Sequence, residues 1–233
     1  MSILLLCLLI LISALIILFM KKFTNVKLTN LIFCITTFVL YATFVLVVGL
    51  QVGIHDWNFL NTLPVANVSP FMFGIAPLYF ILPKKVKKYY LTLISLLSLG
   101  LVLGTSYNMI TYTFRIHFAL DYVAHFTLAL WGVYLVKSNQ VSLKPKQCVI
   151  GGSIIVAVAL IMVLVNVIFD TSFFGLSLNG KHNIYGQVLV SSSYVSALIY
   201  FSGLLFILVA GYFAQKLLNL SKKDEKTSID KAS

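Results

Sequence analysis

Seven apolar runs divide the chain, separated by short polar gaps. They cover Ile3–Met20, Leu28–Leu50, about Pro64–Leu82, Tyr89–Met109, about His117–Val136, about Cys148–Phe169 and about Gln187–Phe213. Each is near the roughly 20 residues that a helix needs to cross a hydrocarbon core about 30 Å thick. The pattern predicts an all-α membrane protein, a bundle of seven transmembrane helices in one domain over residues 1–215. The polar, lysine-rich segment 216–233 reads as a disordered tail. The first run has no basic segment before it and no small-residue cleavage site after it, so it reads as a retained helix.

The gaps alternate in charge. Lys21, Lys22 and Lys27 occupy the first gap, and Lys84, Lys85, Lys87 and Lys88 the third. Lys137, Lys144 and Lys146 occupy the fifth, and the tail region holds Lys216, Lys222, Lys223, Lys226 and Lys231. The gaps between them hold only Arg115 and Lys181. Lysine-rich loops stay in the cytoplasm. The N-terminus is therefore expected outside and the C-terminus in the cytoplasm, in the plasma membrane of a bacterium. An odd number of spans agrees with this alternation, and an even number does not.

Composition sharpens this reading. The chain is 60% hydrophobic and 10% charged, with a mean hydropathy of +1.01. Soluble domains carry about 25% charged residues. A net charge of +11 could suggest nucleic acid, but its distribution does not. The lysine-rich side carries fifteen lysines against Asp224, Glu225 and Asp230, a net +12. The other side carries Arg115 and Lys181 against Asp56, Asp121 and Asp170, a net −1. Topology accounts for the lysines, and no nucleic-acid partner is implied. Anionic headgroups are natural neighbours for them. Cys7, Cys34 and Cys148 lie in or beside apolar runs without metal-type spacing, and read as small apolar side chains.

Three features mark the interior. Span three carries Pro64, Pro70 and Pro77, with Asn67 and Ser69 between them. Proline kinks or breaks a helix, and freed carbonyls survive in a membrane only where protein or a wet cavity covers them. Span three is therefore expected to face the bundle interior. Gly100 and Gly104 on span four, and the serines of span seven from Ser191 to Ser202, suit close helix packing. The outer loop Gln51–Leu63 carries His55, Asp56 and an interfacial Trp57.

Candidate chemistry centres on span five. His117, Asp121 and His125 are spaced four and four, which stacks them on one helix face. His125 then lies about 12 Å deeper than His117. Ionisable groups at that depth are costly and need an interior cavity and partners. Candidate partners are Asn67 and Ser69 on span three, Thr105, Ser106, Tyr107 and Asn108 on span four, and Asn166 and Asp170 on span six. No acid or histidine falls in the inner half, so a polar pocket opening outward and floored near His125 is expected. Three readings of the ladder stand open. It holds helices together, it provides an imidazole general base tuned by a carboxylate, or neighbouring members share a metal ion. Ser69 and Ser106 are candidate nucleophiles, although such hydroxyls commonly bond back to their own helix.

Further motifs accompany these residues. The run Leu63-Pro64-Val65-Ala66-Asn67-Val68-Ser69-Pro70 opens span three, which closes at Leu82-Pro83-Lys84-Lys85. His125 stands in span five ahead of Leu130-Trp131-Gly132-Val133-Tyr134-Leu135, and Asn166 closes span six. Over spans three to seven this resembles the YwaF-type integral membrane proteins of bacteria, relatives of a eukaryotic family proposed to transfer acyl chains between lipids. The resemblance implies that His125 matches the family histidine. The family cysteine is replaced here by Val68 or Ser69.

The expected function is lipid-directed acyl transfer or hydrolysis within the membrane. His125 would be the base, Asp121 its orienter and Ser69 the nucleophile. His117, Asn67, Asn108, Asn166 and Asp170 would line the substrate pocket, and a membrane lipid would be the partner. The alternatives are a proton-coupled transporter or small-ligand binder, and a non-catalytic structural membrane protein. The sequence names no cofactor and no protein partner.

Overall fold

A computed structural model describes residues 2–55, 62–64, 67–111, 116–141, 143–169 and 201–217. All regular structure among them is helical. We number the helices α1 (Ser2–Phe19), α2 (Val26–Val52), α3 (Val68–Gly74), α4 (Leu78–Ile81), α5 (Lys84–Thr111), α6 (Ile116–Lys137), α7 (Pro145–Phe169) and α8 (Phe201–Leu217). Four described segments are long and apolar enough to cross a membrane: Val26–Val52, Lys84–Leu103, Ala119–Lys137 and Pro145–Ile168. Ile3–Phe19 and Phe201–Leu217 are apolar but shorter. The chain is a helical membrane protein.

Local chemistry sets the helix ends. Asn25 caps α2, its side-chain oxygen accepting the Leu28 N–H at 3.1 Å. Gly53, at φ 88°, closes α2 through its N–H to the Gly49 carbonyl. Asn139, at φ 60°, ends α6, and the N–H groups of Gln140 and Val141 both return to the Leu135 carbonyl.

α6 is the central helix. Its membrane window is 72% buried, against 28% for α2 and for α7. It packs on α2 and α5 over long seams, and on α1 and α3 over shorter ones. Leu6 and Leu9 of α1 meet Tyr122 and Phe126 of α6. Close approaches join α5 to its neighbours, because glycine leaves room there. A Cβ on Gly132 of α6 would collide with the Ser98 side chain. One on Gly211 of α8 would collide with the Leu96 backbone, and one on Gly100 with Ile207.

Cross-contacts give the relative directions of the helices. Tyr134 reaches Phe23, and Trp131 reaches Asn30, so α2 and α6 are antiparallel. Gln147 of α7 bonds Thr92 of α5, and Gln215 of α8 bonds the Ser95 carbonyl. Lys22, Lys27, Lys84, Lys85, Lys87, Lys88, Lys137, Lys144, Lys146 and Lys216 thereby flank one end of the bundle.

Span three is broken and not merely kinked, one of the two outcomes its prolines allow. It forms α3 of seven residues and α4 of four, joined by a turn at Ile75–Pro77. Pro77 cannot donate a backbone hydrogen bond, and its ring opposes the Phe73 carbonyl. Nor is the end of the preceding loop superficial. Thr62 is buried, its carbonyl accepting the Tyr41 hydroxyl at 2.7 Å, and Pro64 lies against Gly74. Tyr41 stands eleven residues before the end of α2, about 16 Å along its axis. Non-helical backbone at that depth is held by burial in protein. The Lys84–Lys88 run is likewise no loop: it forms the first turn of α5, since lysine is a good helix former and Pro83 precedes it.

Candidate functional site

The broken span and the central helix meet at His125. Its Nδ1 lies 2.8 Å from the Asp121 carbonyl oxygen and 3.4 Å from the Asp121 carboxylate Oδ1. A carbonyl only accepts, so Nδ1 carries the proton and Nε2 is the basic nitrogen of the neutral ring. His125 is 5% exposed and Asp121 24% exposed. The Phe73 ring stands edge-on to the imidazole, with centroids 4.8 Å apart. Tyr41 in turn packs on Phe73 at 5.5 Å. Its hydroxyl is committed to the Thr62 carbonyl. Phe73 therefore covers the imidazole and is backed by Tyr41, which in turn holds Thr62.

The expected pair is present, and the ladder is partly visible. Asp121 and His125 share a face as their spacing requires. The side chains of His117 and Asn108, and all of Asp170, lie outside the described residues. Ser69 is half-buried on the first turn of α3, one helical step from Phe73. Phe73 is thus the residue of α3 that meets His125, and no described contact joins Ser69 to the imidazole. Asn67 caps α3, its side-chain oxygen accepting the Val68 N–H at 2.8 Å. Its oxygen serves the fold, which leaves its amide nitrogen as the group able to donate outward. Asn166 is buried on α7, and α7 packs chiefly on α5. No described contact brings Asn166 to His125. Ser106 bonds back to the Val102 carbonyl at 2.8 Å, the ordinary behaviour of a serine in a membrane helix.

The polar groups also extend beyond the half of the bundle where they were expected. At the lysine end, Trp131 Nε1 donates to Asn30 Oδ1 at 2.9 Å. Asn30 Nδ2 donates to Gln140 Oε1 at 2.5 Å, and Gln140 Nε2 to Ser138 Oγ at 2.6 Å. Ser138 closes the chain on the Tyr134 carbonyl. Asn30 and Trp131 are fully buried, so these bonds form with water excluded. At the break, the Ala76 carbonyl accepts the Tyr90 hydroxyl at 3.0 Å and the Cys34 thiol at 3.2 Å. Cys34 is thus a donor to the broken helix and more than a small apolar filler. Sequence reasoning passed over Asn30, Cys34 and Tyr41 as a group. Their spacing of four and seven on α2, with Thr37 between, is a polar stripe that could have been read directly.

Compared with known proteins, the chain matches no family model, no curated protein and no solved structure.

Proposed function

We propose that this chain is a seven-pass protein of a bacterial plasma membrane, with its N-terminus outside and its C-terminus in the cytoplasm. Its site performs acid–base chemistry on a membrane lipid, as acyl transfer or hydrolysis. One observation carries this reading: Asp121 holds His125 Nδ1, which leaves Nε2 as the base, on the most buried helix. The resemblance to YwaF-type proteins points the same way, through the family histidine.

In this reading Nε2 takes the proton of the Ser69 hydroxyl as its oxygen attacks a lipid ester carbonyl. The Asn67 amide nitrogen offers a hydrogen bond to the developing oxyanion. The imidazolium then protonates the leaving alcohol, and an acyl-serine remains. Water completes hydrolysis, and a second lipid alcohol completes transfer. The carboxylate of Asp121 stabilises the imidazolium between these steps.

The packing of Phe73 on the ring, and the bond of Nδ1 to its own helix, favour one second reading. There His125 is a structural group that seats α3 against α6. Purified wild-type protein and the His125→Gln variant, incubated with phospholipid and followed by lipid mass spectrometry, separate the two. The catalytic reading expects turnover to fall by about 10²–10⁴-fold. Unchanged turnover in a folded variant would sink it.

A further inference from the structure

We propose that the elbow between α4 and α5, residues 79–88, binds the headgroup phosphate of an anionic phospholipid in the leaflet at the lysine end. This site stands at the opposite end of the bundle from the Asp121 carboxyl and is independent of the acyl-transfer reading. Four of the first five residues of α5 are lysine. Lys84, Lys85 and Lys88 are exposed, and Lys87 is half-buried. No acidic residue stands in that turn, and Asp121 is the sole carboxylate among the described residues. The four ammonium groups also share the positive end of the α5 dipole, so their charge is not offset within the helix.

Positive-inside bias requires lysines on one side of the membrane. It does not require them packed into one helical turn beside exposed apolar surface. Here they follow directly on α4, which buries none of its residues. Phe80 is 50% exposed and Ile81 75% exposed, and they stand four and three residues before Lys84. A soluble phosphate would use only the lysines. A phospholipid uses both surfaces, with phosphate on the ammonium groups and acyl chains along Phe80 and Ile81. The elbow is also anchored. Lys87 Nζ lies 4.5 Å over the Tyr79 ring, and Tyr79 stands edge-on to the buried Trp131 at 6.0 Å. This stack holds Lys87 at the protein side of the site, Lys88 Nζ lies 4.6 Å over the Tyr89 ring, and Lys84 and Lys85 are left to close on the headgroup.

The test uses the full chain in nanodiscs of phosphatidylcholine, with or without phosphatidylglycerol, and counts retained phosphatidylglycerol by native mass spectrometry. Each lysine near the surface contributes about fivefold in affinity. The variant Lys84→Gln/Lys85→Gln/Lys88→Gln is expected to lose at least about tenfold in retention. Lys144→Gln/Lys146→Gln, at the same end at the start of α7, is expected to lose less than the matched pair Lys84→Gln/Lys85→Gln. Lys84→Arg/Lys85→Arg/Lys88→Arg, which keeps the charge, is expected to retain the lipid. If the triple glutamine variant fails to fold, Lys85→Gln alone should show the single-lysine loss. Equal losses in these two double variants would overturn the proposal in favour of diffuse surface charge. Displacement of phosphatidylglycerol by soluble glycerol phosphate would overturn it in favour of a free anion.

Discussion

The break in span three exposes backbone at membrane depth, and the Tyr90 hydroxyl should carry much of the burden of covering it. Tyr90 is 4% exposed and donates to the Ile75 carbonyl at 3.2 Å and the Ala76 carbonyl at 3.0 Å. Tyr90→Phe removes one hydroxyl and serves neither carbonyl. Hydrogen bonds between membrane helices average about 0.6 kcal/mol and reach about 1.7. A hydroxyl shared by two carbonyls at a proline break belongs in the upper part of that range, at about 1–2 kcal/mol. Cys34→Ala removes the other side-chain donor to Ala76, which approaches at 3.2 Å, and should cost about 0.5–1.5 kcal/mol with the small void it leaves. In either single variant the remaining donor still covers Ala76. In the double variant only the Tyr79 N–H at 3.1 Å remains. The double loss should therefore exceed the sum by about 0.5 kcal/mol. Reversible unfolding in mixed micelles, titrated with sodium dodecyl sulfate, measures all three, with Tyr89→Phe as the control. A Tyr90→Phe variant no less stable than the Tyr89→Phe control would refute the reasoning, and so would strict additivity.

Two further outcomes follow from the packing. Gly211→Ala should destabilise by about 1–3 kcal/mol or more, since the new methyl meets the Leu96 backbone. Gly203→Ala, with nothing within 4 Å of the new carbon, should be neutral or stabilise by up to about 1 kcal/mol. The same titration reads both, and equal effects would contradict the seat of α8 on α5. Trp131→Phe should cost about 2–4 kcal/mol, because it strips the donor from the buried Asn30 oxygen and leaves a void. Adding Asn30→Leu removes the orphaned oxygen but also takes the donor from Gln140 Oε1, so the double loss should be smaller than the sum of the two single losses, and strict additivity would argue against the Trp131–Asn30 bond.

Most of the element pattern was legible along the chain. Apolar runs of span length marked α1, α2, α5, α6 and α7 to within a few residues, because hydrophobic length is a local property. The i, i+4 relation of Asp121 and His125 was legible for the same reason: one helix carries both. The interior position of α3 also followed from the prolines of span three, whereas α4 lies at the surface. What failed was whatever depended on contacts between distant segments. The end of the loop after α2 reads as polar turn in sequence, yet Thr62 is buried because Tyr41 meets its carbonyl. Cys34 reads as filler, yet it covers a carbonyl forty-two residues away.

The sequence by itself determined that this is a helical membrane protein, where its lysines fall, and which helix carries the deep imidazole. These follow from transfer free energy and helical periodicity, which act residue by residue. Only the tertiary structure decided that α6 is central, that Phe73 covers His125, and that the Asn30–Gln140–Trp131 network stands at the lysine end. Each of those needs two or more helices to meet at a given rotation, and a stripe along one helix marks a face without naming the helix that meets it. The close approaches at Gly132 and Gly211 set how α6 and α8 lie on α5.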